Sequence, residues 1–149
     1  MKNTAFAICL AAALLVAIPA YADDASVNAA IDHNLGDHAI YEPAIKAFQQ
    51  AVSDGNEADV AAFVRYPIVV EVNGGKQTIK SPEAFERAYA AIMTPDIVDA
   101  VKSQQYGDLF VNYQGIMFGN GQVWLNGVCL DRKCRHFVVQ VITIQHTGQ

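Results

Sequence analysis

Apolar residues recur at helical spacing from Asp37 or His38 onward: Ile40, Tyr41, Ala44, Ile45, Phe48 and Val52. Asp54-Gly55-Asn56 ends that helix, Asn56 caps a shorter one through Val60, Phe63 and Val64, and Pro67 stops it. The period then changes from helical to alternating. The stretch "IVVEVNGGKQTIK" predicts a strand, a turn at Asn73-Gly74-Gly75 and a returning strand. Ser81 caps a helix that opens with Pro82 and runs through "SPEAFERAYAAIM"; Thr94-Pro95 repeats the device for "TPDIVDAVKSQQ". The remainder reads as strand. In "LFVNYQGIMFGNGQVWLNGVC" the pair Asn120-Gly121 predicts a two-residue type I′ turn, with positive φ at both positions. A third long strand follows in "HFVVQVITIQ". This order predicts an α+β domain with helices packed on one antiparallel sheet.

The first residues obey a different rule. Lys2 precedes an unbroken apolar run from Ala5 to Ile18, and Ala20-Tyr21-Ala22 has the small-x-small pattern of a signal-peptidase site. Residues 1–22 are therefore expected to be a cleaved signal peptide. The run is short of the ~20 residues that span a bilayer, which argues against an anchor. Residues 23–36 are polar and alanine-rich, and are expected to be loosely ordered. Residues 37–149 form the expected single domain. No later run is long and apolar enough for a second span, so a soluble periplasmic or secreted bacterial protein is expected.

The net charge of −5 excludes a nucleic-acid binder. The acids are scattered, and no basic stripe exists to follow a phosphate backbone. The single basic cluster is Arg132, Lys133 and Arg135.

The passages "DVAAFVRYPIVVEVNGGK" and "LFVNYQGIMFGNGQVWLNGVC" carry a resemblance. In element order and hairpin texture the chain is similar to the cone-shaped NTF2-like (cystatin-like) domains, which include ketosteroid isomerase and scytalone dehydratase. The resemblance implies a curved sheet around a pocket, and often a homodimer. It implies no single activity, since the fold hosts enzymes and binding modules alike.

Alternation sorts the side chains of the last strands. Pairing across Asn120-Gly121 sets Met117 opposite Trp124 and Gly115 opposite Asn126. One face then collects Tyr113, Met117, Gln122, Trp124 and Asn126; the other collects Ile116, Phe118, Val123 and Leu125. If the loop from Cys129 to Cys134 is a simple hairpin, Phe137, Val139 and Val141 join the first face, and Val138, Ile142 and Ile144 the second. The first face mixes large apolar groups with polar tips, as a pocket does. Tyr113, Met117, Trp124, Asn126 and Phe137 are therefore the candidate ligand-binding residues, with Gly115 leaving room for an approaching group. The same residues could instead fill the core or form a dimer surface.

Candidate chemistry beyond binding is sparse. An isomerase or lyase of the ketosteroid-isomerase kind needs a carboxylate base and an oxyanion donor in an apolar pocket. Glu71 and Asp108 are the candidate acids, with Tyr66, Tyr106 and Tyr113 as donors. Neither acid is paired with a tyrosine by spacing. His33 with His38, and His136 with His146, have no metal-ligand spacing. No phosphate loop follows a strand. No metal and no cofactor are expected.

Loss of the leader would remove Cys9 and leave Cys129 and Cys134 alone in an oxidising compartment. Four residues between cysteines on paired strands suit a disulfide. It closes a short loop, so its contribution is expected near the low end of ~2–4 kcal/mol. The leading expectation is thus an exported NTF2-like protein that binds a small apolar ligand or an envelope protein without catalysis. The alternatives are the isomerase or lyase, and an inhibitor or immunity-type protein acting through the basic disulfide loop.

Overall fold

Six helices and six strands build the protein in a computed structural model that describes residues 23–147. The expected leader, and the cleavage site after Ala22, lie outside the described residues. The chain is α+β, as its pattern predicts.

The helices carry the apolar stripes that bury the sheet. Helix α1 spans Asp24–Asn34, α2 spans His38–Asp54 and α3 spans Glu57–Phe63. On α2, Tyr41, Ile45, Phe48 and Val52 are buried at the expected spacing. Gly55 ends the helix in the left-handed region at φ 66°. Asn56 then caps α3 by accepting the Asp59 N–H.

Helix α1 corrects the expectation that residues 23–36 are loose. Asp23 caps it by accepting the Ala25 N–H, and Val27 and Ile31 are buried. Both lie on one face, one turn apart. The apolar stripe is only these two residues wide, too narrow to stand out in an alanine-rich segment. Contacts with the last sheet supply the order. The Tyr106 hydroxyl also donates to Asn28 Oδ1 at 2.6 Å, tying α1 to the turn before that sheet.

Strands β1 (Ile68–Val72) and β2 (Gly75–Ile79) form a two-stranded hairpin. Val72 pairs with Gly75, so the turn is Asn73-Gly74, with φ of 52° and 78°. Gly75, expected in the turn, belongs to β2. Helices α4 (Pro82–Arg87), α5 (Tyr89–Ile92) and α6 (Pro95–Ser103) follow. The break at Ala88 divides what the pattern reads as one helix. Tyr66, Phe85 and Tyr89 stack edge-to-face along this side, with centroids 6.4 and 6.1 Å apart.

A 3₁₀ turn, Tyr106–Asp108, leads into the second sheet: β3 (Phe110–Asn112), β4 (Gly115–Phe118), β5 (Val123–Cys129) and β6 (Phe137–Ile144), all antiparallel and in chain order. Phe118, Leu125 and Val141 face the helices, fully or almost fully buried. Phe48 of α2 meets Phe118 edge-to-face at 5.7 Å, a geometry worth about 1 kcal/mol beyond burial. Beyond β6, Val64 pairs in parallel with Val141, and the Arg65 N–H donates to the Val141 carbonyl at 2.9 Å. The segment entering β1 thereby covers an edge that would otherwise be open.

Candidate functional site

The outward face of the four-stranded sheet is the candidate site. Cross-strand pairing aligns Phe110 with Met117, Met117 with Trp124, and Trp124 with Thr143. This row crosses the whole sheet. Its aromatic members meet edge-to-face at 6.4 Å, and Phe110 is 51% exposed. Next to it lie Asn126, paired with Gln140, and Val128, paired with Val138. Asn126 Nδ2 donates to the Gln114 carbonyl at 3.0 Å, so its amide is held by the neighbouring turn.

Met117, Trp124 and Asn126 share this face, as the alternation predicts. The register across the β4–β5 turn is also the expected one, with Met117 opposite Trp124. The turn itself differs. Phe118 pairs with Val123, leaving a loop from Gly119 to Gln122 in which Gly119 (φ 61°) and Gly121 (φ 106°), but not Asn120, are left-handed. The Gln122 side chain accepts the Asn120 N–H at 2.6 Å, and Gln104 Oε1 accepts the Gly119 N–H at 2.9 Å. Side-chain oxygens supply the order that a type I′ turn would have supplied through its backbone.

Phe137 stands on the opposite face from Trp124. Cys129 pairs with Phe137, not with Cys134, so the β5–β6 loop contains seven residues, Leu130 to His136. A simple hairpin closed at the cysteines would put an even number between paired positions; the odd loop swaps the faces of β6. Phe137, Val139 and Val141 therefore point to the core, where Phe137 packs on Tyr41 at 5.6 Å. Val138 points outward and is 39% exposed. A bulge then intervenes: Trp124 pairs with Thr143 but Leu125 with Val141. Ile142 is the extra residue, and Ile144 returns to the core.

Tyr113 belongs to neither face. Asn112 pairs with Gly115, so Tyr113 and Gln114 form the β3–β4 turn, and Tyr113 is 77% exposed at its tip. Nor does Gly115 leave space. A Cβ there would collide with the Leu125 carbonyl oxygen, and φ is 138°. The gap is filled by the neighbouring strand's own backbone.

Shallow depressions flank the row. One of about 330 Å³ is lined by Gln114, Trp124, Ile142, Thr143 and Gln145. Another of about 420 Å³ lies between the hairpin and β6, lined among others by Val69, Glu71, Lys76, Thr143 and His146. Both open to solvent. The volume between helices and sheet is occupied by Tyr41, Phe48, Phe118 and Leu125, each 2% exposed or less.

The candidate acids do not meet the candidate donors. Glu71 is exposed opposite Lys76, and Asp108 is exposed at the end of the 3₁₀ turn. The Tyr66 hydroxyl donates to the Ala61 carbonyl at 2.9 Å, and Tyr106 to Asn28. Burial, reinforced by nearby acids, pushes both phenols up to about 12. No tyrosine hydroxyl donates to either acid among the described residues.

Asp32, Asp37 and His38 gather at the α1–α2 junction, which spacing did not reveal. Their atoms are used in capping. Asp32 accepts the His38 N–H at 2.8 Å and meets its Nδ1 at 2.9 Å, while Asp37 accepts the Ala39 N–H. The Asp32 hydrogen bond holds the imidazole above its ordinary value, and the His38 N–H holds the Asp32 carboxyl below its own.

Cys129 and Cys134 form the expected disulfide, with Cα atoms 4.8 Å apart. No described helix is long and apolar enough to cross a membrane. The chain matches no protein-family model, no curated protein and no solved structure.

Proposed function

We propose that this chain is an exported NTF2-like protein that binds an envelope partner on the outward sheet face, without catalysis. The Phe110–Met117–Trp124 row carries the reading: large apolar groups left accessible on a rigid sheet, beside the amides of Asn126, Gln140 and Gln114. Aromatic anchors with a polar surround are the composition of interface centres. The open, shallow depressions favour an extended apolar surface over an enclosed small molecule. Order of elements and hairpin texture support the family assignment, and the disulfide supports an oxidising destination.

Native mass spectrometry of protein purified from the periplasm tests this. The expected result is a co-purifying protein that is lost in Trp124→Asp and retained in Ala62→Asp on the exposed side of α3; a small molecule or a second copy in its place would overturn the choice of partner. A clean apo monomer with an intact leader on the chain would reject both binding and export.

A further inference from the structure

The β5–β6 loop is more ordered than its disulfide alone requires. Inside the ring the Asp131 carboxylate accepts the N–H groups of Lys133 at 2.8 Å, Arg135 at 3.1 Å and His136 at 3.1 Å. Its carbonyl accepts the Cys134 N–H at 3.0 Å, and the Leu130 N–H closes the base on the His136 carbonyl at 2.8 Å. Five inward hydrogen bonds and one covalent bridge thus hold a seven-residue loop.

This order has a consequence for charge. The loop's single acid is turned inward, and Arg132, Lys133, Arg135 and His136 remain exposed. Leu130 stands among them, 65% exposed. Neither Arg132 nor Lys133 belongs to an ion pair among the described residues. A chain of net charge −5 therefore concentrates three cationic side chains on one ordered tip, two of them unpaired and Arg135 paired with Asp131 at 3.8 Å, together with one apolar group.

A tip of opposite sign to the rest of the molecule orients the molecule toward an acidic target. Pre-organisation means little conformational freedom is lost on docking. An anionic bilayer would attract the same cations, but it would repel the acidic remainder. A fluid surface also gains nothing from a fixed loop shape, and a single leucine is a meagre anchor. Shape and charge together favour a concave protein surface. We infer that the Leu130–His136 loop is a docking wedge for a carboxylate-lined cleft on another protein, separate from the outward sheet face. Trp124 lies five residues up the strand from Cys129, roughly 17 Å away.

A photo-cross-linking phenylalanine analogue at position 130 of the full-length chain, produced in its own host, tests the inference. Mass spectrometry should find the adduct on a protein segment dense in Asp and Glu. Its yield should fall about tenfold in the R132E/K133E/R135E background and at raised salt. It should be unaffected by Trp124→Asp, whose loss of binding reports on the sheet face alone. The analogue at Ala62 supplies the background. Circular dichroism and an intact disulfide mass establish that the variants fold. The inference is overturned by no adduct above that background, or by one that survives charge reversal. Charge-dependent retention on vesicles of phosphatidylethanolamine and phosphatidylglycerol, in place of a protein adduct, also overturns it in favour of a membrane.

Discussion

The two faces of the four-stranded sheet are made by alternate residues of the same strands, yet they meet opposite fates. Ile116, Phe118, Val123 and Leu125 are buried under the helices. Met117 and Trp124, their immediate neighbours in sequence, stay partly accessible, and Phe110 beside them more so. Size does not separate the sets, since Trp124 and Phe110 are larger than Val123. Polar interruption does. The buried face offers only branched and aromatic groups, which join Phe48, Ile45 and Tyr41 in one core, Phe118 meeting Phe48 edge-to-face. The second interrupts its large groups with Asn126, Gln140 and Thr143, which cannot be buried dry without partners. A sheet can therefore present an apolar row to an external surface while its other side supplies the stability.

Breaking the packed face should cost most. Phe118→Ala is expected to lower unfolding free energy by about 3–5 kcal/mol in urea titration, and Trp124→Ala by about 1 kcal/mol. Equal losses would mean that Trp124 is a core residue and the faces do not differ. Gly115→Ala comes next, at about 2–3 kcal/mol, because it combines a left-handed φ with a Cβ aimed at the Leu125 carbonyl. A neutral result would show that β4 and β5 can separate there.

Cleaving the clip tests what sets the faces of β6. Cys129→Ser with Cys134→Ser should cost about 2 kcal/mol and leave the Val138 and Gln140 amides, which the register aims at β5, protected in hydrogen exchange. Loss of their protection, with Val139 protected instead, would show that the loop and not the core chooses the register.

The smallest effect is in pH. The amide N–H groups that Asp131 accepts, Lys133 first, hold its carboxyl below the ordinary carboxylate value. Its contribution to loop order is complete above that ordinary value and is lost as pH falls through the lowered, folded one. Exchange at Lys133, Arg135 and His136, corrected for intrinsic rates, should rise over that window while β5 and β6 stay closed. His38 runs the other way. Its contribution at the α1–α2 junction is complete below the ordinary histidine value and fades as pH rises through the raised one. Opening of the sheet in step with the loop would tie the two faces to the clip.

Local chemistry made much of this legible. Helix α2 shows its stripe, Gly55 and Asn56 show a stop and a start, and Asn73-Gly74 shows a hairpin. Ser81 and Pro82 show a helix start. The pairing of Met117 with Trp124 follows from the position of the turn alone. What stayed hidden depended on counts that the pattern does not carry. Cys129 and Cys134 invite a hairpin closed at the cysteines, but Asp131 lengthens the closed loop to seven residues and swaps Phe137 to the core. Asp131, two residues before the amide it accepts at Lys133, was the available signal. Phe110 was missed as a site residue because its face is fixed only by pairing with Met117.

The sequence by itself determined the α+β class, the disulfide and the buried face of β4 and β5, because periodicity, capping and alternation act over a few residues. Tertiary structure decided that α1 is ordered, that Tyr41 and Phe48 fill the space beneath the sheet, and that Trp124 faces outward. Those outcomes depend on which surfaces meet. Contacts between α1 and β3, or Phe48 and Phe118, exist only once segments distant in the chain are brought together.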